Sequence, residues 1–210
     1  MKVVAFADTH GAHEEVQIPD GDVLIFSGDM CYTGDIEDVF LFGRWLGKLP
    51  HRYKIVIAGN HDRPFEHRKG LAQAALGSCY YLENRGCMID GVYFYGSPYT
   101  PEFNQWHFML PRGDAMQANW EKIPANTDVL ITHGPPAGIL DATSRGEQVG
   151  CCDLALAVDR IRPRYHVFGH IHGQRGEREF GGTRYINCSV CDETYDPIQC
   201  PAEFNIEKEE

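Results

Sequence analysis

The chain has 210 residues, 43% hydrophobic and 23% charged, a balance that belongs to globular rather than disordered sequences. Its formal net charge of −11 disfavours non-specific binding to nucleic acid or to anionic membranes, because no basic stripe is present to displace counterions. No apolar run approaches the ~20 residues of a membrane span, and the length supplies one sizeable core and barely two.

Taken in order, residues 2–7 read as a strand that runs into Asp8-Thr9-His10-Gly11. The D-x-H spacing points two donors to one side of an extended tip. His13 is expected to be exposed. A second strand, 23–27, ends in Gly28-Asp29. Residues 36–48 read as a helix, with acids in its first turn and Ile36, Val39, Phe40 and Leu46 at helical spacing. The strand 54–58 leads into Gly59-Asn60-His61-Asp62, and Pro64 turns the chain away from helix immediately afterwards.

Residues 66–76 read as a weaker helix, and 79–97 as short antiparallel strands. The aromatic segment from Glu102 to Arg112 has two open readings: it folds over a site, or it packs its own rings. A helix is expected over 114–122, with Trp120 on its buried side. The strand 129–132 delivers His133. Leu154, Val158 and Ile161 mark a helix that ends before Pro163. The strand 165–168 delivers Gly169-His170-Ile171-His172. Strands over 184–187 and 203–206 close the chain, the last four residues are expected to fray, and one domain is expected to span 1–210.

Five β-branched or aromatic runs thus end in Asp, Asn or His, usually beside Gly. Five such ends in one orientation imply strands converging on one site. The candidate ligands are Asp8, His10, Asp29, Asn60, His133, His170 and His172. Seven nitrogen and oxygen donors exceed the need of one zinc ion and suit two divalent ions sharing a carboxylate. Without thiolate, Mn²⁺ is the first expectation, with Fe, Zn²⁺ or Mg²⁺ as alternatives. His13, His51, His67, His107 and His166 are read as ordinary surface or core residues.

The eight cysteines form no double C-x-x-C pattern, and no secretion signal is seen. They are expected to be reduced, mostly buried thiols in a cytoplasmic protein.

The blocks Asp8-x-His10, Gly28-Asp29, Gly59-Asn60-His61-Asp62, His133 and Gly169-His170-x-His172 together resemble the signature of calcineurin-like metallophosphoesterases. Gly96-Ser97-Pro98, Leu110-Pro111-Arg112-Gly113, Thr132-His133-Gly134-Pro135-Pro136 and Val149-Gly150-Cys151 are similar to the small metallophosphoesterase-domain (MPPED, 239FB-like) group within it. The resemblance implies an α/β (α+β) fold, a four-layer α/β/β/α sandwich of two mixed sheets with helices outside. It assigns Asp8, His10, Asp29 and His172 to one ion, and Asn60, His133 and His170 to the other, with Asp29 bridging.

The same resemblance makes His61 the general acid or charge stabiliser, with Asp62 behind it. It implies hydrolysis of small phosphodiesters, 2′,3′- or 3′,5′-cyclic nucleotides among them, by attack of a hydroxide shared between the ions. Arg63, Tyr99, Asn104 and Trp106 are placed by position alone as substrate contacts. The partner expected is a small phosphodiester or nucleotide, handled by a monomer or homodimer. The alternatives are a phosphomonoesterase or protein phosphatase with the same centre, or a non-catalytic scaffold. Retention of every ligand and of His61 speaks against the scaffold.

Overall fold

A computed structural model describes residues 1–207, so the last three of the four residues expected to fray lie outside the described region. In chain order the strands are β1 (Lys2–Phe6), β2 (Val23–Ser27), β3 (Tyr53–Ile57), β4 (Tyr80–Tyr81), β5 (Arg85–Ile89), β6 (Val92–Ser97) and β7 (Thr100–Pro101). They continue as β8 (Met109–Leu110), β9 (Val129–Thr132), β10 (Tyr165–Phe168), β11 (Gly176–Phe180), β12 (Thr183–Asn187) and β13 (Ala202–Asn205). The helices are α1 (Ile36–Leu46), α2 (Pro64–His67), α3 (Lys69–Leu76), α4 (Asp114–Trp120) and α5 (Cys152–Ile161).

Two mixed sheets result. One has the order β13-β1-β2-β3-β4 and the other β11-β12-β10-β9-β6-β5; β7 and β8 pair separately. Alternation along each strand sends successive side chains to opposite faces. Val3, Ala5, Val23, Ile25, Ile55 and Ile57 therefore meet Phe94, Val129, Ile131, Val167 and Ile186 between the sheets. Their neighbours Val4, Phe6, Leu24, Phe26 and Val56 face outward against Val39, Phe42, Leu46, Ala72 and Leu76 of α1 and α3. Leu130, Phe168 and Tyr185 pack likewise on Met116, Trp120, Leu154 and Val158 of α4 and α5. These are the four expected layers.

Several local expectations are corrected. Phe40 of α1 is exposed and Ile36 only partly buried, while Phe42 and Gly43 face inward. A Cβ on Gly43 would strike the backbone of Ala75, so α1 lies flush on α3 and the buried stripe is rotated away from Phe40. His13 is 4% exposed, not solvated. A 3-10 turn at His13–Glu15 sets its ring against Phe42 and Trp45, with centroids 5.4 and 5.2 Å away.

The helix expected over 66–76 is two pieces broken at Arg68, whose φ of −138° and ψ of 41° are not helical. β4 is parallel to β3 and joins the first sheet; only β5 and β6 form the expected antiparallel pair. The β7–β8 pair and β11 were not expected. All eight cysteines are unbridged, but only Cys31, Cys151, Cys188 and Cys191 are buried.

Candidate metal centre

β1, β2 and β3 of one sheet and β9 and β10 of the other end at the same edge, and backbone hydrogen bonds stitch their outgoing loops together. Asp8 N–H donates to Gly28 O (2.9 Å), His10 N–H to Asp29 O (3.0 Å) and Gly169 N–H to His133 O (2.9 Å). The turns are tight enough that Asp8, Asp29, His10 and His170 all take positive φ, between 43° and 68°. Strain of this kind on non-glycine residues is held by surrounding structure and concentrates at functional sites. Gly28 supports the crowding, since a Cβ there would lie 2.6 Å from His133 Nδ1.

The side chains are aimed by the same bonds. His10 Nδ1 lies 3.3 Å from Cys31 O, His133 Nδ1 3.0 Å from Ser27 O, and His172 Nδ1 2.7 Å from Asp192 O. A carbonyl only accepts, so each Nδ1 carries the hydrogen. Each Nε2 of the neutral ring is then a lone pair facing inward. His10 Nε2 and His172 Nε2 nevertheless stand 3.3 Å apart. Two lone pairs at that distance repel unless a cation lies between them.

The carboxylates agree. Asp29 Oδ1 accepts from His61 N–H (2.8 Å), which leaves Oδ2 3.2 Å from His133 Nε2 and 4.0 Å from His10 Nε2. Asp8 Oδ2 accepts from His170 N–H (2.9 Å), while its buried Oδ1 has no partner and lies 4.0 Å from His172 Nε2. Asn60 Oδ1 is 2.9 Å from His133 Nε2. The groups Asp8–His10–His172, His10–Asp29–His61 and Asp29–His133–His170 each gather donor atoms within 4.8 Å. Asp29 belongs to both sides, as two ions sharing a carboxylate require. Imidazole and oxygen donors without thiolate fit divalent first-row ions or Mg²⁺.

Without cations the site redistributes protons instead. Burial pulls the His10 and His170 imidazoles down to about 3. Burial also acts to lower His133, but the charge and hydrogen bond of Asp29, with Asp8 and the Ser27 carbonyl, together raise the ring to about 9. Burial acts to raise Asp29, yet His133, His61 and His10 hold it well below the usual carboxylate range. Burial, and then the Asp29 charge, push Asp62 up to about 6. A proton on His133 Nε2 thus occupies the space a cation would take.

Asp62 does not touch the cavity. Its carboxylate is fully buried and accepts from the backbone N–H of Asp29 (2.9 Å), Cys31 (2.9 Å) and Gly59 (2.8 Å). It ties the second and third loops together, in keeping with a place behind His61 rather than in the cavity. His61 faces the cavity, with Nδ1 2.7 Å from Tyr32 O.

The cavity has a volume of about 880 Å³. Of the residues placed as substrate contacts, Asn104 and Trp106 line it, whereas Arg63 and Tyr99 do not. Arg63 opens α2, and Tyr99 is half-buried against Phe108. Trp106 stacks on His61 (4.1 Å between centroids, 28° between planes), so one of its faces is already covered. Both readings of the 102–112 segment hold in part, because Phe108 is buried while Phe103 and Trp106 reach the cavity.

Sequence reasoning missed Tyr195. It lines the cavity, takes φ of 67°, and sets its ring 4.5 Å from His10 and 5.5 Å from His172. It follows no strand-end motif, so no local signal points to it. Arg112 was singled out only as part of a motif; it too lines the cavity, with its guanidinium donating to Gly150 O and Val149 O at 2.8 Å.

Comparison with known proteins agrees with this geometry. The family model described as calcineurin-like phosphoesterase matches residues 1–174. Metallophosphoesterase domain-containing protein 1 of Homo sapiens is 40% identical over 225 residues, covering 95% of this chain and 69% of that protein. UPF0046 protein K07C11.7 of Caenorhabditis elegans is 39% identical over 222 residues, covering 99% and 76%. Among solved structures, TT1561 of Thermus thermophilus superimposes with a TM-score of 0.62 at 14% identity over 89% of this chain and 88% of that one. Another superimposes with a TM-score of 0.69 at 17% identity, covering 89% of each chain. The structural likeness speaks for the fold. The sequence match and the geometry of the gathered ligands establish that the chain belongs to the calcineurin-like phosphoesterase family, whose members are dinuclear metal-dependent phosphoric ester hydrolases.

Proposed function

We propose that this protein is a phosphodiesterase acting on small phosphodiesters, with 2′,3′- or 3′,5′-cyclic nucleotides as the leading class and Mn²⁺ as the preferred metal. The observation that carries the diester reading is the charge around the cavity. Glu102, Glu147 and Glu193 line it, with Arg112 the one lysine or arginine among the lining residues. A dianionic monoester meets more repulsion there than a monoanionic diester. The volume suits a nucleotide-sized ligand.

In this reading Asp8, His10, Asp29 and His172 would hold one ion, and Asn60, His133 and His170 the other, with Asp29 serving both. Bound ions acidify water and stabilise charge on phosphoryl oxygens. The chain supplies the rest. Tyr32 O keeps the His61 Nδ1 proton in place, so proton transfer occurs at Nε2 and goes to the leaving alkoxide. Trp106 fixes the ring plane of His61 and shields it from water on one face. Asn104 and the open face of Trp106 are the proposed substrate contacts, joined by Tyr195. Eight cysteines without a disulfide support a reducing, cytoplasmic setting; among the described residues no helix is long and apolar enough to cross a membrane.

The test is a screen of Mn²⁺-reconstituted protein against cyclic nucleotides, bis-p-nitrophenyl phosphate and p-nitrophenyl phosphate. The diesters are expected to be the better substrates by kcat/KM. A preference for the monoester would overturn this reading in favour of a phosphomonoesterase.

A further inference from the structure

A second group of metal donors lies outside the cavity lining. Glu66 and His67 end the short helix α2, directly after the Gly59–Asp62 block, and His107 sits in the strap between β7 and β8. One donor atom from each lies within 4.8 Å of the others. The His67 and His107 ring centroids are 5.3 Å apart at 88°, which suits two imidazoles converging on one ion.

The Glu66 carboxylate is divided between two tasks. Oε1 accepts from Phe108 N–H at 2.8 Å, an outer bond that fixes the orientation of the group. Oε2 lies 2.9 Å from His107 Nδ1 and is shared with nothing else among the described hydrogen bonds. The spacing of Oε2 and Nδ1 is close to that between two ligands of one tetrahedral ion, and a single proton now bridges them.

We propose that Glu66, His67 and His107 form a third metal site, separate from the catalytic pair, for a divalent ion that accepts imidazole and carboxylate, Zn²⁺ first. Three protein ligands leave a fourth position for water at this exposed surface. On binding, the neutral His107 ring exchanges its hydrogen from Nδ1 to Nε2 through solvent, and the ion takes the place of the bridging hydrogen. The site braces the strap. His107 N–H donates to the carbonyl of the ligand residue Asn60 (3.3 Å), and the adjacent Trp106 stacks on His61. An ion here fastens the strap to α2 and so holds Trp106 over the catalytic histidine.

The test counts zinc in the full chain at a buffered free Zn²⁺ concentration, for wild type, H67A and E66Q. His67 is exposed, so H67A is expected to melt at the wild-type temperature in chelator. H67A is expected to hold one Zn²⁺ fewer than wild type. E66Q, which keeps an oxygen for Phe108 N–H, is expected to bind that ion at least about tenfold more weakly in chelator competition. Anomalous diffraction at the zinc edge is expected to show a peak among the three side chains. Equal zinc counts in wild type and H67A would overturn the proposal. The difference between variants carries the test, so a failure of the two-ion centre, seen in the wild-type total, stays distinguishable. Zn²⁺ is further expected to slow chymotryptic cutting at Phe103 and Trp106 about threefold in wild type and not in H67A. Equal slowing in both would remove the bracing role.

Discussion

Buried histidines occur in two regions of this molecule, and they differ in which ring nitrogen the backbone takes. At the strand-end edge, His10, His61, His133 and His172 each have Nδ1 on a backbone carbonyl. In the body of the fold, His13, His51 and His166 are equally buried, but their Nδ1 atoms have no partner. His51 and His166 use Nε2 instead, toward Pro19 O (3.0 Å) and Thr132 Oγ1 (2.8 Å). Burial lowers the imidazole in both regions, as His10 and His166 show, each down to about 3. Burial therefore does not mark a ligand. What sets His10, His133 and His172 apart is the carbonyl on Nδ1, because it leaves Nε2 as a lone pair on the outer corner of the ring, where an ion can reach it.

Asp29→Ala and His133→Ala test this contrast most severely. Each is expected to lower kcat/KM about 10³-fold and to reduce bound metal, read by elemental analysis. The counterpart His166→Phe should keep the full metal content. Metal loss from His166→Phe, or full content in His133→Ala, would break the distinction between the two regions.

His61 shares the carbonyl-anchored geometry without being assigned an ion. His61→Asn is expected to lose about 10²-fold in kcat while its metal content stays at the wild-type value. A fall in metal content would make His61 a ligand.

His133 and His166 titrate in opposite senses. In metal-free protein His133 is raised to about 9, so a proton competes for the Nε2 corner below that pH. Metal affinity is expected to climb with pH up to about 9, by roughly tenfold per unit, with a proton released into weakly buffered indicator dye. His166 is lowered from 6.5 to about 3, so the unfolded chain binds the extra proton between those values. Its contribution is complete above pH 6.5 and is lost as pH falls toward 3, at about 1.4 kcal/mol per unit. Thermal melts in chelator should show a shallower acid slope for His166→Phe than for wild type.

The smallest effect is expected at the rim. Trp106→Ala should lower kcat/KM for a cyclic nucleotide about fivefold, with Trp106→Phe restoring most of it, as one aromatic stack implies. Unchanged kinetics would remove Trp106 from both of its proposed roles.

The strand-end blocks were legible because a β-strand forces its own register. A run such as Val23–Ser27 must be extended and buried, so the residue after it must emerge at a sheet edge. The alternation that builds the two cores is legible for the same reason. The phase of α1 was not, because Gly43 meets α3 across a contact that no local pattern encodes. His13 was misplaced likewise, since its cover comes from Phe42 and Trp45, about thirty residues further along the chain. Asp62 sits inside a recognisable block, yet its three backbone donors come from two different loops.

The order of residues by itself determined that Asp8, His10, Asp29, Asn60, His133, His170 and His172 stand at strand ends, because local sterics and period-two burial require nothing distant. Only the tertiary structure decided that His10 Nε2 and His133 Nε2 face Asp29 Oδ2, that Tyr195 joins the wall, and that Arg63 and Tyr99 stay outside it. Those outcomes depend on how two sheets stack and where long loops return, and contacts between residues far apart in the chain leave no imprint on the neighbours of either one.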